Sequence, residues 1–232
     1  AQERAPVQPP LSLFLALASF ALPVIALAYV LRRLHRRPFL SLLGPPELAV
    51  AQFVKVARLV ALVLLVQLLF TAGFDPDEVA RTRPVVGWVL LLPFALLAVL
   101  IQTGAEELLY RGYLQQQLGA LSRSPWVWMV IPSAMFAISH VFNAANAQDA
   151  VYYVGWTFVF GCMAADLTAR SGSLGPAIAL HLMFNFFQIV FFGYDGGPLS
   201  GFALVLFEWD GAPMTYLFED CPICNAVFLM MF

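Results

Sequence analysis

Apolar stretches of membrane length recur along this chain, near 11–30, 57–73, 85–118 with a break expected at Pro93, 126–143, 150–169 and 174–193. A span needs about 20 mostly apolar residues. Within hydrocarbon every backbone N–H and C=O must be satisfied by the protein itself, so only α-helices and closed barrels cross. Continuous apolar runs, as opposed to short alternating ones, select the helix. The expected fold class is therefore all-α, a polytopic transmembrane helical bundle of about six to eight membrane helices. Composition agrees: 61% of residues are hydrophobic and 11% charged, where a soluble domain carries about a quarter charged.

Residues 1–10 read as a polar N-terminal segment and 11–232 as a single transmembrane domain, with no repeat or low-complexity tract. The opening segment lacks the basic stretch of a signal peptide, so 11–30 is read as a retained helix. Lys55 and Arg58, within 47–58, read as interfacial anchors leading into the second span. The apolar pieces at 201–207 and 225–232 are too short for spans. Arg32, Arg33, Arg36 and Arg37 crowd the turn after the first span and mark it as cytoplasmic. Alternation then puts 74–78 and 143–149 outside and the turns at Arg123 and Arg170 inside. The short-looped, apolar character points to a prokaryotic plasma (inner) membrane. A net charge of −2 with no basic tract beyond that turn leaves nucleic acid without a footprint. Cys221 and Cys224 form a lone CxxC with no second pair to complete a zinc site; ordinary thiols and a disulfide both remain open, and Cys162 lies in an apolar segment.

Against this background 104–111 stands out, because it sets Glu106, Glu107 and Arg111 inside an apolar helix. Each such charge costs roughly 2.5–3.5 kcal/mol at the centre of a span and marks a functional site by default. If the helix restarts after Pro93 and runs from Phe94 to Leu118, Glu107 and Arg111 share a face and Glu106 is turned about 100° away. Arg111 then neutralises Glu107 and leaves Glu106 to face a cavity. His140, on the next antiparallel helix, falls at the same depth as Glu106, about 20–22 Å from the shared turn. Phe136, four residues earlier, forms an apolar wall beside that imidazole. His181 and Asn185 share a face of the last segment, but depth counting leaves His181 about 10 Å too shallow. A helix offset or tilt is needed to bring it to Glu106.

These residue types suit hydrolysis. A desolvated carboxylate serves as general base to water, an imidazole orients that water, and a second imidazole with a carboxamide can donate to an oxyanion. No GxSxG elbow or HExxH pair is present. Zinc on Glu106, His140 and His181, with an open fourth position, is the alternative. Asp166 is expected to pair with Arg170, and Gln67, Gln102 and Gln188 to contact helices or line a cavity. The run Phe184, Phe186, Phe187, Phe191 and Phe192 is read chiefly as lipid-facing, with a wall for an apolar peptide as the alternative.

The three ordered motifs, Glu106-Glu107-x-x-x-Arg111, Phe136-x-x-x-His140 and His181-x-x-x-Asn185, resemble those of the CAAX prenyl endopeptidase and Abi (CPBP) family of intramembrane proteases over roughly 94–193. The resemblance implies that Glu106 and His140 activate water, that His181 and Asn185 stabilise the oxyanion, and that Glu107, Arg111 and Phe136 support the site. It implies a glutamate-type mechanism with no cofactor, zinc being the alternative. The implied partners are the lipid bilayer and a hydrophobic or lipidated peptide or protein substrate. Rival readings are a non-catalytic immunity or scaffold member of the same fold and a proton-coupled transporter. The transporter would show inverted repeats, and none is visible.

Overall fold

The computed structural model describes residues 8–71, 79–143 and 147–208. Most of the polar segment 1–10, the 74–78 loop, the centre of the 143–149 loop, Cys221, Cys224 and the 225–232 tail lie outside them. Eight α-helices are described: α1 (Pro10–Ala18), α2 (Ala21–Val30), α3 (Pro46–Thr71), α4 (Val85–Glu107), α5 (Gln115–Leu121), α6 (Ile131–Ser139), α7 (Ala147–Ser171) and α8 (Gly175–Phe191). With the π-helical and 3-10 turns that join them they form five helices long and apolar enough to cross a membrane: Pro10–His35, Pro46–Leu68, Val85–Leu121, Trp126–Asn143 and Asp149–Ser171. The helical, integral-membrane fold expected from the apolar pattern is the one observed.

Three local expectations change. Pro93 does not break the third span, and α4 runs through it without interruption. A proline in a membrane helix removes one hydrogen bond, which local adjustment and packing tolerate. The irregularity lies further on, in a π-helical stretch at Leu108–Leu114 that begins directly after Glu107 and contains Arg111. The stretch around Lys55 and Arg58 is the body of α3 and no separate interfacial entry, since that helix already starts at Pro46. Finally, 174–193 is not a full span: α8 has only 17 residues.

The shortness of α8 reflects where it starts. The Leu174 N–H donates to the Leu43 carbonyl at 3.0 Å, and the Ser173 hydroxyl donates to Gln52 at 2.6 Å, so the preceding turn is tucked against α3 and the 3-10 turn at Phe39–Leu42. Gly175 then presses on the backbone of Ala49, where a Cβ would collide with the carbonyl. From this recessed start α8 runs through the middle of the bundle in contact with α3, α4 and α7. Its phenylalanines consequently face protein. Phe187 and Phe192 are buried beside Val60 and Leu64 of α3, with Phe184 and Phe191 packed against them, and Phe186 packs on the core shared by α1, α4 and α8. The lipid-facing reading of that run fails because α8 has helices around it where a peripheral span would have lipid.

A small sheet closes one end, in the order β1 (Val79–Thr82), β3 (Val205–Phe207), β2 (Phe192–Tyr194). β3 pairs antiparallel with β1 and parallel with β2. Arg83 donates to the carbonyls of Ala203 and Gly201, and the Trp88 indole donates to Val190, so the sheet is fastened to the start of α4 and the end of α8. The apolar 201–207 piece is thus part of this cap. Strands of three or four residues are too short to leave a periodic signal.

Overpacking at the α3–α8 crossing predicts that Gly175→Ala lowers stability by about 1–3 kcal/mol, read as thermal unfolding in detergent. Gly87→Ala, on an exposed helical face with open space around the added methyl, is the control and leaves stability unchanged or slightly raised. Equal melting of both variants and the wild type would contradict the tight crossing.

Candidate active site

The polar residues of the membrane core converge around one imidazole. Glu107, wholly buried at the last turn of α4, accepts on a single oxygen, Oε1, from Arg111 Nη1 at 2.9 Å and from His181 Nδ1 at 2.7 Å. The i,i+4 ion pair expected from the sequence is present, and the same carboxylate also fixes His181. Because that carboxylate oxygen can only accept, Nδ1 of His181 carries the proton and Nε2 points onward. Nε2 lies 3.5 Å from Glu106 Oε2 and 3.3 Å from Asn185 Nδ2. Asn185 in turn donates to Gln102 Oε1 at 3.1 Å. Glu106 is 9% exposed, and its Oε2 is buried without a hydrogen-bond partner among the described residues.

The 10 Å depth deficit anticipated for His181 is removed by the recessed start of α8. Depth counting takes helices to begin at the membrane surface. Since Gly175 lets α8 begin against Ala49 inside the bundle, six residues suffice to bring the imidazole level with the paired glutamates.

Arg111 is held on three sides. Besides Glu107, its Nη2 donates to the Gly161 carbonyl at 3.2 Å, and its guanidinium lies 4.4 Å from the centre of the Phe136 ring. Gly161 admits this approach, since a Cβ there would meet Arg111 Nη2 and Ser133. Phe136 is itself buried, with its ring 4.4 Å from that of His140 and 5.8 Å from that of His181. It therefore stands between the two imidazoles and keeps water away from the cation.

His140 caps the C-terminal end of α6 and is partly exposed. Its Nδ1 donates to the Phe136 carbonyl at 2.7 Å, which leaves Nε2 as the lone-pair nitrogen of the neutral ring. Ser139 and Tyr110 add a second tether: the Tyr110 hydroxyl donates to Ser139 Oγ at 3.2 Å, and Ser139 donates to Phe136 O at 2.7 Å. Tyr153 lies near His140 at 6.2 Å between ring centres. No hydrogen bond joins Glu106 to His140 among the described residues; Phe136, in ring contact with both His140 and His181, links the two sides of the cluster.

Glu106, Glu107, Arg111, Phe136, His140, His181 and Asn185 are thus gathered in one region of the fold. Tyr110, Ser139, Tyr153 and Gly161 join them without having been singled out from the sequence. Gly161 had a faint signal, since it belongs with Ala164 and Ala165 to a small-residue face of α7. Asp166 and Arg170 pair at 2.7 Å on the exposed surface, away from this cluster. A cavity of about 480 Å³ touches the other side of the ion pair, lined by Arg111, Gln115, Gln116, Arg123, Trp128 and Ser173 among others, and none of Glu106, His140, His181 or Asn185 is in its walls.

A metal finds no ready ligand set. Among the described residues no three His, Cys, Asp or Glu side chains converge at coordinating distance. Both ring nitrogens of His181 and Nδ1 of His140 are engaged by protein groups.

Residues 88–187 match the family described as type II CAAX prenyl endopeptidase Rce1-like. All seven motif residues fall inside that segment. Over 201 residues the chain is 26% identical to the uncharacterized protein YyaK of Bacillus subtilis (strain 168), a match that takes in 84% of this chain and 65% of that protein. The chain therefore spans just under two thirds of the length of that relative. No solved structure matches the chain.

Removing one member of a buried ion pair leaves an uncompensated charge and costs about 3–5 kcal/mol. Arg111→Met is therefore expected to unfold at a markedly lower temperature in detergent, with Arg111→Met/Glu107→Gln recovering part of the loss. Unchanged melting of the single variant would show that the pair does not hold the fold.

Proposed function

Because residues 88–187 belong to the Rce1-like CAAX prenyl endopeptidase family, we propose that this membrane protein is an intramembrane endopeptidase. It hydrolyses a peptide bond in a membrane-associated or C-terminal hydrophobic or lipidated substrate, with a water molecule activated by Glu106. The observation that carries this reading is the unpartnered buried Oε2 of Glu106, set 3.5 Å from an imidazole nitrogen whose ring is locked by Glu107 and Arg111.

Electroneutrality supplies the starting protonation state. Isolated buried charge is very costly, and Arg111 with two carboxylates and one imidazole balances only if Glu106 and His181 hold one extra proton between them. With that proton on His181 Nε2, Glu106 is ionised and takes a proton from water as the hydroxide attacks the scissile carbonyl. The Nε2–H then donates to the oxyanion. A protonated Nε2 no longer accepts from Asn185, which releases an amide N–H to the same oxyanion. Collapse of the tetrahedral intermediate breaks the C–N bond, and Glu106 returns its proton to the leaving amine. Nε2 of His140 orients the water. Glu107 holds the His181 tautomer and stabilises the imidazolium, in the manner of the carboxylate in a Ser-His-Asp triad. No step in this proposal passes through a metal.

The Arg32–Arg37 turn faces the cytoplasm of a prokaryotic plasma membrane in this proposal, on the positive-inside rule. The bilayer and the apolar substrate are the partners.

The test uses purified protein in nanodiscs with a panel of membrane-anchored and C-terminal peptides. Glu106→Ala and His140→Ala are each expected to lower kcat by about 10²–10⁴, and Asn185→Ala by about 10²–10³. Equal cleavage by the wild type and Glu106→Ala would end the protease reading. Chelation is expected to leave activity intact; activity lost to a chelator and regained with zinc would replace the glutamate mechanism with a metal-dependent one.

A further inference from the structure

The first span ends in four arginines within six residues, Arg32, Arg33, Arg36 and Arg37, which the hydrolytic chemistry does not use. A π-helical turn at Leu31–His35 stops at Arg36, whose backbone is left-handed with φ 52°. The chain bends there, and Arg36 and Arg37 come to line one cavity with Arg32. That cavity measures about 600 Å³, and its remaining walls are Ala28, Pro38 and Phe39. No carboxylate lines it. The Arg32 and Arg36 guanidinium groups pair with no side chain among the described residues. The turn is anchored at two points. Arg37 Nη2 donates to Gln116 Oε1 at 3.1 Å, and His35 Nε2 bonds the Tyr113 hydroxyl at 3.0 Å.

We propose that this cavity binds the phosphodiester headgroup of an anionic glycerophospholipid. Planar guanidinium forks match phosphate oxygens bidentately. Clusters of four or more basic residues beside a membrane span attract anionic headgroups. The position favours a lipid over a soluble polyanion. On α2, which leads into the arginine turn, Leu22, Ile25 and Tyr29 are each more than 60% exposed and share one face of the helix on which acyl chains can lie. The two anchors to the Tyr113–Gln116 segment hold the arginines in place before the lipid arrives, which reduces the ordering cost of binding. This site is independent of the proposed proteolysis.

The full chain in detergent would be titrated with dioleoylphosphatidylglycerol or dioleoylphosphatidylcholine, with binding read by native mass spectrometry and thermal shift. The wild type is expected to prefer the anionic lipid by about tenfold or more. Arg32→Gln/Arg36→Gln is expected to bring the two lipids near parity, while Lys55→Gln/Arg123→Gln, with the same charge loss elsewhere, keeps the preference. Equal losses in both double variants would reduce the effect to general electrostatics and overturn the site, as would a preference that survives Arg32→Gln/Arg36→Gln. Displacement of the lipid by inorganic phosphate or a single-stranded oligonucleotide at equal concentration would show that the cavity reads a free anion or a nucleic acid instead. Should the glutamine pair fail to fold, Arg32→Lys/Arg36→Lys keeps the charge and loses the fork. It is expected to weaken anionic-lipid binding by about threefold, and an unchanged affinity would likewise overturn the proposal.

Discussion

A single carboxylate oxygen, Glu107 Oε1, receives hydrogen bonds from Arg111 and His181 at once. Three helical segments meet through it: the end of α4, the π-helical stretch that follows, and α8. In a low-dielectric core none of these groups is tolerable alone, and Glu107 Oε1 is the shared partner of the other two, while Glu107 Oε2 has no hydrogen-bond partner among the described residues. Removing the guanidinium strands a carboxylate; removing the carboxylate strands a cation and frees the imidazole to turn. The cluster therefore serves as a packing constraint and as the scaffold that aims His181 Nε2 at Glu106.

That constraint explains features that would otherwise look like defects. The helix widens into a π-helical stretch directly after Glu107, a distortion found often at functional sites. α7 presents a bare glycine so that its carbonyl can reach Arg111. α8 gives up membrane length for a recessed start, sealed by the Leu174–Leu43 hydrogen bond and by Gly175 against Ala49. Phe136 covers the guanidinium and separates the two imidazoles. It shields the ion pair and touches both imidazoles at the same time.

Much of the site was legible because its spacings are local. Glu107 with Arg111, Phe136 with His140, and His181 with Asn185 each sit four residues apart, and four residues is one face of a helix whatever the rest of the chain does. What that rule could not convey is which faces meet. Sequence spacing pairs Glu107 with Arg111 alone, because nothing four residues away announces a partner on α8. Gln102, read as a helix-contact group, turns out to hold the Asn185 amide. The phenylalanines of α8 look lipid-facing in sequence, since hydropathy does not distinguish lipid from the interior of a bundle.

The sequence by itself determined that this chain is helical and embedded in a membrane, because backbone polar groups in hydrocarbon admit so few solutions. It also determined which side chains are too polar for their surroundings to be incidental. Only the tertiary structure decided how deep α8 begins, that Pro93 is absorbed, that a small sheet closes one end, and that Glu106 faces His181. These depend on close approaches between residues far apart in the chain, such as Gly175 on Ala49 and Arg111 on Gly161. Such approaches are set by the shapes of packed surfaces, and no local periodicity encodes them.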